Sequence, residues 1–238
     1  MIYITGDTHG NYNDFKDRVT KVNVQPGDTV IICGDFGFVW GDAVHDRFLN
    51  ELTEFPFTIA FIDGNHENFE LLYQYPVFDW NGGKIHEVRD NVFHLMRGEC
   101  FKIEGKTFFC FGGAYSIDKM YRRPYIEWWP QEQPDNAEYN NARRNLEFLD
   151  YKVDYVLTHT IPDSFIYRLN MKPDQHDAQL TGYLEWLCRK LDFRHWFAGH
   201  FHEDKRMDDL TILYHDIKEF NYYLHEGVRC NNDLLTDD

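Results

Sequence analysis

The sequence predicts an α/β fold in which helices pack on a largely parallel β-sheet. Over the first 75 residues, short apolar runs alternate with amphipathic stretches, a pattern typical of strand–helix–strand units. The chain has 238 residues, 43% of them hydrophobic and 17% aromatic, so it can bury a substantial core. Because no internal repeat, low-complexity tract or Gly/Ser-rich linker divides it, we expect a single domain over residues 1–238.

The first third of the chain alternates predicted strands and helices. The apolar runs are short enough for buried strands, and the stretches between them have helical patterning. The predicted elements are strand 2–5, helix 11–21, strand 29–33, helix 42–53, strand 58–62 and helix 66–74.

The pattern changes from about residue 84. Apolar runs at 92–96 and 106–111, separated by glycine-containing turns, predict short antiparallel strands. Residues 112–137 are rich in Gly, Pro and aromatic residues and have no periodicity, which favours a loop over a regular element. Its aromatic content argues against disorder, and long ordered loops in compact domains are usually functional.

The remaining chain returns to helices and strands. A stripe of apolar residues at helical spacing marks the core face of a helix over 178–191. The other predicted elements are helix 138–150, strand 154–158, and strands near 195–198, 211–215 and 220–224. Residues 231–238 are polar and acidic, and we expect a disordered tail there.

Charge and cysteine content exclude several classes of protein. The formal net charge of −16 makes nonspecific binding to duplex nucleic acid unfavourable, since such binding needs cations opposite the phosphates. No apolar run approaches the ~20 residues that span a bilayer, and no secretory signal opens the sequence. The five cysteines form no CxxC pair and are typical of reduced thiols. We therefore expect a cytoplasmic protein without a membrane partner.

Polar residues follow five of the predicted strands at the point where each strand ends. Each such residue alone is also compatible with an ordinary turn or a structural histidine. Together they are informative, because ligands of open α/β sheets bind at the carboxyl ends of the strands. The sequences at the strand ends are GDTH (6–9), GD (34–35), GNHE (64–67), THT (158–160) and GHFH (199–202).

The residue types in these segments suit divalent metal ions. Carboxylate and amide oxygens with imidazole nitrogens, in the absence of thiolates, favour Mn, Fe, Zn or Ni, and we favour manganese. One shared carboxylate can bridge two ions ~3.5–4 Å apart and template a water molecule for attack on a phosphate ester.

The combined pattern resembles the calcineurin-like metallophosphoesterase superfamily. The signature of that family is D-x-H, G-D, G-N-H-D/E, H and G-H-x-H, and the match extends over residues 1–202. The resemblance implies a four-layer α/β/β/α sandwich with two mixed β-sheets. It also implies a dinuclear-metal phosphoesterase that hydrolyses phosphate mono- or diesters by attack of a metal-bridging hydroxide.

The resemblance also implies a role for each motif position. Asp35 would bridge two metal ions, and His66 would act on the leaving-group oxygen as general acid or hydrogen-bond donor. Glu67 receives no direct role. The implied ligands are Asp7, His9 and His202 for the first ion and Asn65, His159 and His200 for the second.

The sequence departs from the Ser/Thr protein phosphatase branch of that superfamily. That branch continues its second motif as GDxVDRG and has Arg before GNHE, whereas this chain has Phe38, Val39 and Asp63 at those positions. The carboxylate expected to orient His66 and two expected phosphate-binding arginines are therefore missing.

Basic residues of the loop at 112–137 could replace the missing cations. Lys119, Arg122 and Arg123 are candidates for substrate binding, and an arginine there could clamp a phosphate oxygen. Trp128 and Trp129 could line the pocket. The alternative is a solvated rim above core tryptophans.

The expected substrate is a phosphorylated small molecule or a nucleotide. A phosphoprotein phosphatase is the first alternative. A catalytically inactive binding module on the same fold is the second, although such a module would be expected to have lost ligands. The sequence leaves the oligomeric state open.

Overall fold

The structure, a computed structural model, describes residues 1–220 and folds them into two β-sheets with helices on their outer faces. The strands in chain order are β1 (Ile2–Thr5), β2 (Thr29–Cys33), β3 (Thr58–Ile62), β4 (Val77–Trp80), β5 (Gly83–Arg89), β6 (Val92–Leu95), β7 (Cys100–Ile103), β8 (Lys106–Phe111), β9 (Tyr155–Thr158), β10 (His195–Ala198), β11 (Lys205–Met207), β12 (Leu210–Ile212) and β13 (Ile217–Glu219). The helices are α1 (Tyr12–Lys21), α2 (Ala43–Leu52), α3 (Phe69–Leu72), α4 (Asn136–Phe148), α5 (Asp163–Arg168) and α6 (Ala178–Lys190).

Both sheets are mixed. The first has the strand order β13-β1-β2-β3-β6-β5-β4, in which β1, β2, β3 and β6 are parallel and the remaining strands are antiparallel to their neighbours. The second has the order β11-β12-β10-β9-β8-β7, with parallel pairing from β12 to β8 and antiparallel edge strands. Parallel strands direct their carboxyl ends to one edge of a sheet.

The sheets and helices form four layers, as the sequence analysis predicted. Along β2, Ile31 faces the second sheet, whereas Val30 and Ile32 face α1 and α2. This alternation follows from the two-residue period of a strand. Phe108 joins the core between the sheets, and Trp196 packs in the core between the second sheet and α4 to α6. Central strands such as β2, β9 and β10 are therefore buried on both faces, which explains their continuous apolar runs.

Side chains at the helix starts fix where several helices begin. Asn11, Asp42 and Asp135 each accept a hydrogen bond from a backbone N–H of the first turn of α1, α2 and α4. Glu138 completes a reciprocal capping box with Asp135. No helix within residues 1–220 has the length and apolar character needed to cross a bilayer.

The predicted helix at 66–74 is shorter in the structure. It begins at Phe69, because the Asn68 side chain accepts a hydrogen bond from the N–H of Leu71 and caps the helix there. The residues before Asn68 remain in the loop after β3, where they can face other strand ends.

Several elements were not predicted from the sequence. These elements are β4, β5, β7, β11, β13 and α5. All except β5 have six residues or fewer, and the apolar patterning of β4 and β11 is weak because both are largely exposed. Of the predicted loop at 112–137, residues 112–135 form an ordered loop with two 3₁₀ helices, Lys119–Tyr121 and Pro130–Glu132, and the last two residues belong to α4. The predicted tail at 231–238 and nearly all of the predicted strand at 220–224 lie outside the described residues.

Candidate metal centre

The loops after β1, β2, β3, β9 and β10 meet at one edge of the sandwich. The backbone N–H of His200, after β10, donates to Asp7 Oδ1, after β1, over 3.0 Å. The backbone N–H of His66, after β3, donates to Asp35 Oδ1, after β2, over 2.8 Å. His159 Nδ1, after β9, lies 2.8 Å from the carbonyl oxygen of Cys33. The structure thus brings all the polar strand-end residues predicted from the sequence to one place.

Glycines before these residues make the close approach possible. A Cβ atom on Gly34 would lie 2.2 Å from His159 Nδ1, and one on Gly64 would lie 2.0 Å from Asp35 Oδ1. Gly34 also has a φ of +92°, which other residues rarely adopt. Glycine is needed at both positions because a side chain from a neighbouring loop, His159 or Asp35, occupies the space that a Cβ atom would fill.

A first cluster of ligand atoms consists of Asp7 Oδ2, His9 Nε2 and His202 Nε2. The two histidine nitrogens are 3.1 Å apart, and they lie 3.6 and 3.3 Å from the carboxylate oxygen. Asp7 is 1% exposed, yet its Oδ2 atom has no hydrogen-bond donor. Atoms that share one metal ion at about 2.0–2.1 Å lie about 3–3.5 Å from one another. The spacing and the unpartnered oxygen both fit a metal ion.

A second cluster consists of His159 Nε2, Asn65 Oδ1 and Asp35 Oδ1. His159 Nε2 lies 3.1 Å from the Asn65 oxygen and 3.3 Å from the Asp35 oxygen. A carbonyl oxygen can only accept, so His159 donates from Nδ1 to Cys33 and turns the Nε2 lone pair toward the two oxygens. Three acceptor atoms that face one another require a cation, either a proton on His159 or a metal ion.

The pKa shifts of Asp7, Asp35 and His159 also indicate that this site favours positive charge. Burial alone would raise the pKa of Asp7, but contacts with His202 and His9 lower it to about 2. Burial opposes protonation of His159, yet the carboxylates of Asp35 and Asp7 raise its pKa to about 10. The pKa of Asp35 lies well below its usual range, despite burial, because of His159. The two aspartates are therefore anionic, as metal ligands must be.

Asp35 lies between the two clusters. Its Oδ1 atom belongs to the second cluster, and its Oδ2 atom lies 3.8 Å from His9 Nδ1, beside the first. The residue is 1% exposed and has a φ of +48°, a conformation held by the hydrogen bonds from the N–H groups of Thr8 and His9 to its carbonyl oxygen. The loop after β1 therefore fixes the orientation of the carboxylate after β2.

His200 lies beside the second cluster. Its ring centroid is 4.9 Å from that of His159, with the rings edge to face. Burial, together with the nearby His159, lowers its pKa to about 4, so the ring is neutral and can act as a ligand. Among residues 1–220, the tight groups of Asp and His ligand atoms are Asp7/His9/His202 and Asp7/Asp35/His159, and neither includes His200.

His66 contacts Arg122 of the loop at 112–137. Arg122 Nη1 lies 2.8 Å from His66 Nδ1, and Nη2 lies 3.4 Å from Nε2. A guanidinium group can only donate, so Nδ1 of His66 is the acceptor in the shorter contact, which favours the tautomer with the proton on Nε2. Burial and the charge of Arg122 lower the pKa of His66 despite the opposite effect of Asp35, which favours the neutral ring.

The other two basic candidates of this loop have different surroundings. Lys119 Nζ lies 2.5 Å from Glu132 Oε1 and 4.5 Å from the centroid of the Trp128 ring. Arg123 is 71% exposed and pairs with Glu127 at 3.0 Å. Of the three, the structure places Arg122 against His66, Lys119 in an ion pair with a buried carboxylate, and Arg123 on the surface.

The positions that differ from the protein phosphatase branch are structural here. Phe38 and Val39 are buried in the core beneath α1 and α2. Asp63 is fully buried, accepts hydrogen bonds from Arg97, and lies 3.0 Å from His94 Nε2. This network stabilises the end of β3.

Two buried residues around the site, Arg18 and Glu67, were missed or left without a role by sequence reasoning. Arg18 donates to the carbonyl oxygens of Gly6 and Asp7 over 3.3 and 3.0 Å. Glu67 accepts from the N–H groups of Phe36 and Gly37 over 2.7 and 3.2 Å. The signal for Arg18 was its position in the apolar stripe of α1, where a charged residue is unusual.

Comparison with known proteins agrees with this geometry. A family model described as calcineurin-like phosphoesterase matches residues 1–204. The chain belongs to this family. The family supports a metal-dependent phosphoesterase in general, and the structure contains candidate groups of metal ligands.

Individual proteins add little beyond the family. No curated protein matches the chain. Among solved structures, it is similar to "Termus thermophilus Sulfate thiohydrolase SoxB in complex with glycerol" at 16% identity and a TM-score of 0.37. The match covers 87% of this chain and 37% of that one, so the chain spans well under half the length of that protein.

Proposed function

We propose that this protein is a dinuclear-metal-dependent phosphoesterase that hydrolyses phosphate mono- or diesters. The observation that carries the proposal is the pair of ligand clusters on either side of Asp35, each with interatomic distances of 3.1 to 3.6 Å. Carboxylate and amide oxygens together with imidazole nitrogens at such spacing are the ligand set of divalent transition metals.

The proposed ligands follow from the clusters. Asp7, His9 and His202 hold the first ion, and Asn65 and His159 hold the second, with His200 beside them. Asp35 serves both ions. When bound, two divalent ions of Mn, Fe, Zn or Ni supply charge neutralisation for the phosphate oxygens and acidify a water molecule for attack. We favour manganese.

His66 is the proposed general acid or hydrogen-bond donor for the leaving group. The 2.8 Å contact between Arg122 Nη1 and His66 Nδ1 supports a proton on Nε2, the other ring nitrogen. A neutral imidazole with a proton on a defined nitrogen can donate it to the departing oxygen. Arg122 thereby takes over the orienting role that a carboxylate would otherwise have.

Arg122 is also the proposed contact for a phosphate oxygen. Its side chain is 23% exposed and pairs with Asp118 at 2.7 Å. The same guanidinium group contacts His66. Lys119, Arg122 and Arg123 each pair with a carboxylate, but of the three it is Arg122 that contacts His66, so we assign phosphate binding to Arg122.

The favoured substrate is a phosphorylated small molecule or a nucleotide. With a net charge of −16, the protein is expected to repel long polyanions, which makes nonspecific duplex binding unfavourable. The described cysteines Cys33, Cys100, Cys110 and Cys188 are free thiols, which supports a reducing, cytoplasmic location. We treat the chain as one domain.

Hydrolysis of p-nitrophenyl phosphate and bis-p-nitrophenyl phosphate with added Mn²⁺ tests the proposal. We expect a chelator-sensitive rate, and the preferred ester distinguishes mono- from diesterase activity. A protein that binds Mn²⁺ at the site and hydrolyses neither ester nor any member of a phosphate-ester library would be an inactive binding module.

A further inference from the structure

The amide group of Asn65 is held at both ends. Its Oδ1 atom lies 3.1 Å from His159 Nε2, and its Nδ2 atom donates to Ser116 Oγ over 3.1 Å. Asn65 and Ser116 are 4% and 2% exposed, so no bulk water competes for these contacts. Because an amide nitrogen cannot coordinate a cation, rotation of this group by half a turn would remove the ligand oxygen from the second cluster.

Ser116 is itself fixed by a buried ion pair. Its backbone N–H donates to Glu132 Oε1 over 2.9 Å, and Lys119 Nζ lies 2.5 Å from the same oxygen. Lys119 Nζ is 4.1 Å from the ring centroid of Tyr115 and 4.5 Å from that of Trp128. The loop residues that surround Ser116 therefore have few alternative positions.

The segment that holds Ser116 is tied to the same strand end as Asn65. Arg97 Nη2 donates to the carbonyl oxygens of Gln131 and Glu132 over 2.8 and 3.3 Å, and Arg97 Nε donates to Asp63 over 2.8 Å. Asp63 lies two residues before Asn65 in the sequence. The loop and the residues after β3 are thus joined both through Arg97 and through Ser116.

We infer that Ser116 is a positioning residue that selects the metal-binding orientation of the Asn65 amide. The inference rests on the proposed two-ion centre. The loop at 112–137 would then act on two consecutive residues after β3: Ser116 orients Asn65, and Arg122 contacts His66. The inference also accounts for Lys119, whose role is to hold Glu132 against Ser116.

The test is metal binding by Ser116→Ala, measured by isothermal titration of the metal-free protein with Mn²⁺ and by metal content after gel filtration. Loss of an outer hydrogen-bond partner of a metal ligand typically costs about 10–100-fold in affinity. We expect that loss for one of two Mn²⁺ ions, with the other ion bound as in the wild type. Ser116→Thr, which keeps the hydroxyl, should restore much of the affinity.

Thr211→Val is the matched control. This change removes another buried hydroxyl, that of Thr211 in β12. The Thr211 hydroxyl lies 2.8 Å from Nε2 of His195, which is not a proposed ligand. This variant should bind both ions as the wild type does. If the control loses the same ion as Ser116→Ala, general destabilisation explains the effect and the inference is wrong.

The outcomes separate this inference from the proposed function. If the wild type binds two ions and Ser116→Ala binds both with unchanged affinity, Ser116 has no positioning role and the phosphoesterase proposal stands. If the wild type binds fewer than two, both proposals fail. Should Ser116→Ala not fold, Glu132→Gln serves instead, because it removes the charge that holds Lys119 beside Ser116. It should weaken the same ion, and unchanged affinity would refute the inference.

Discussion

Two regions of the molecule contribute to the site in different ways. The strand-end loops present Asp7, Asp35 and His159, all at most 1% exposed and fixed by the two sheets. The loop at 112–137 has large apolar side chains in solvent, such as Tyr121 at 85% exposure, and reaches the site through Ser116 and Arg122.

The strand-end loops form a rigid framework of proposed ligands, and the loop at 112–137 is a separate segment that orients residues of this framework. Strand ends are held by backbone pairing over their whole length, so their side chains need little further support. The loop depends on side-chain contacts such as the pair of Lys119 and Glu132. We therefore expect substitutions in the framework to remove metal and activity together, and substitutions in the loop to change activity or one ion by smaller factors.

Asp35→Asn should have the largest effect. The change removes the charge shared by both clusters, so we expect loss of both ions and a fall in kcat/KM of at least about 10³-fold, the upper end for loss of one electrostatic contact. Metal content by mass spectrometry and ester hydrolysis measure the two losses. Asp28→Asn is the control, because Asp28 is a similarly buried carboxylate that pairs with the N-terminus, away from the site. A variant at position 35 that retains both ions would show that the framework does not depend on this carboxylate.

His66→Asn should lower kcat by about 10²–10⁴-fold while metal content stays at the wild-type value. The loss should be smaller with p-nitrophenyl phosphate than with an alkyl phosphate, because nitrophenolate departs without needing a proton. Steady-state kinetics on both esters measures the difference. Equal losses on the two esters, or loss of metal, would contradict the role given to His66.

Arg122→Ala should lower kcat/KM by about 10- to 100-fold, the cost of one charge-assisted hydrogen bond. Arg123→Ala is a matched change one residue away, on an exposed side chain paired with Glu127, and should leave kcat/KM unchanged. If both variants behave alike, the loop does not discriminate between its two arginines and the clamp proposal is wrong.

The sequence predicted the framework well, because its information is local. Apolar runs such as residues 58–62 define strands, and a polar residue that follows directly has its position set by the sheet. The segments at the strand ends therefore contain all seven proposed ligands, whose roles were implied by the resemblance to the family, and the structure brings these residues together.

The contacts that the loop at 112–137 makes with the site could not be predicted from the sequence in this way. Lys119, Arg122 and Arg123 are close in sequence, but their different partners, Glu132, His66 and Glu127, depend on how an irregular segment folds back. Ser116 carried no signal at all, since a single serine in a polar loop is ordinary. The edge strand β4 was also missed, because its four residues, VFDW, show neither a continuous apolar run nor a regular alternation of apolar and polar side chains.

The central claim is that two cations lie on either side of the Asp35 carboxylate. Anomalous diffraction from crystals grown with Mn²⁺ tests it most directly. We predict two peaks, one within bonding distance of Asp7, His9 and His202 and the other beside Asn65 and His159, with Asp35 contacting both. A single peak, or side chains at these positions turned away from the metal, would contradict the account.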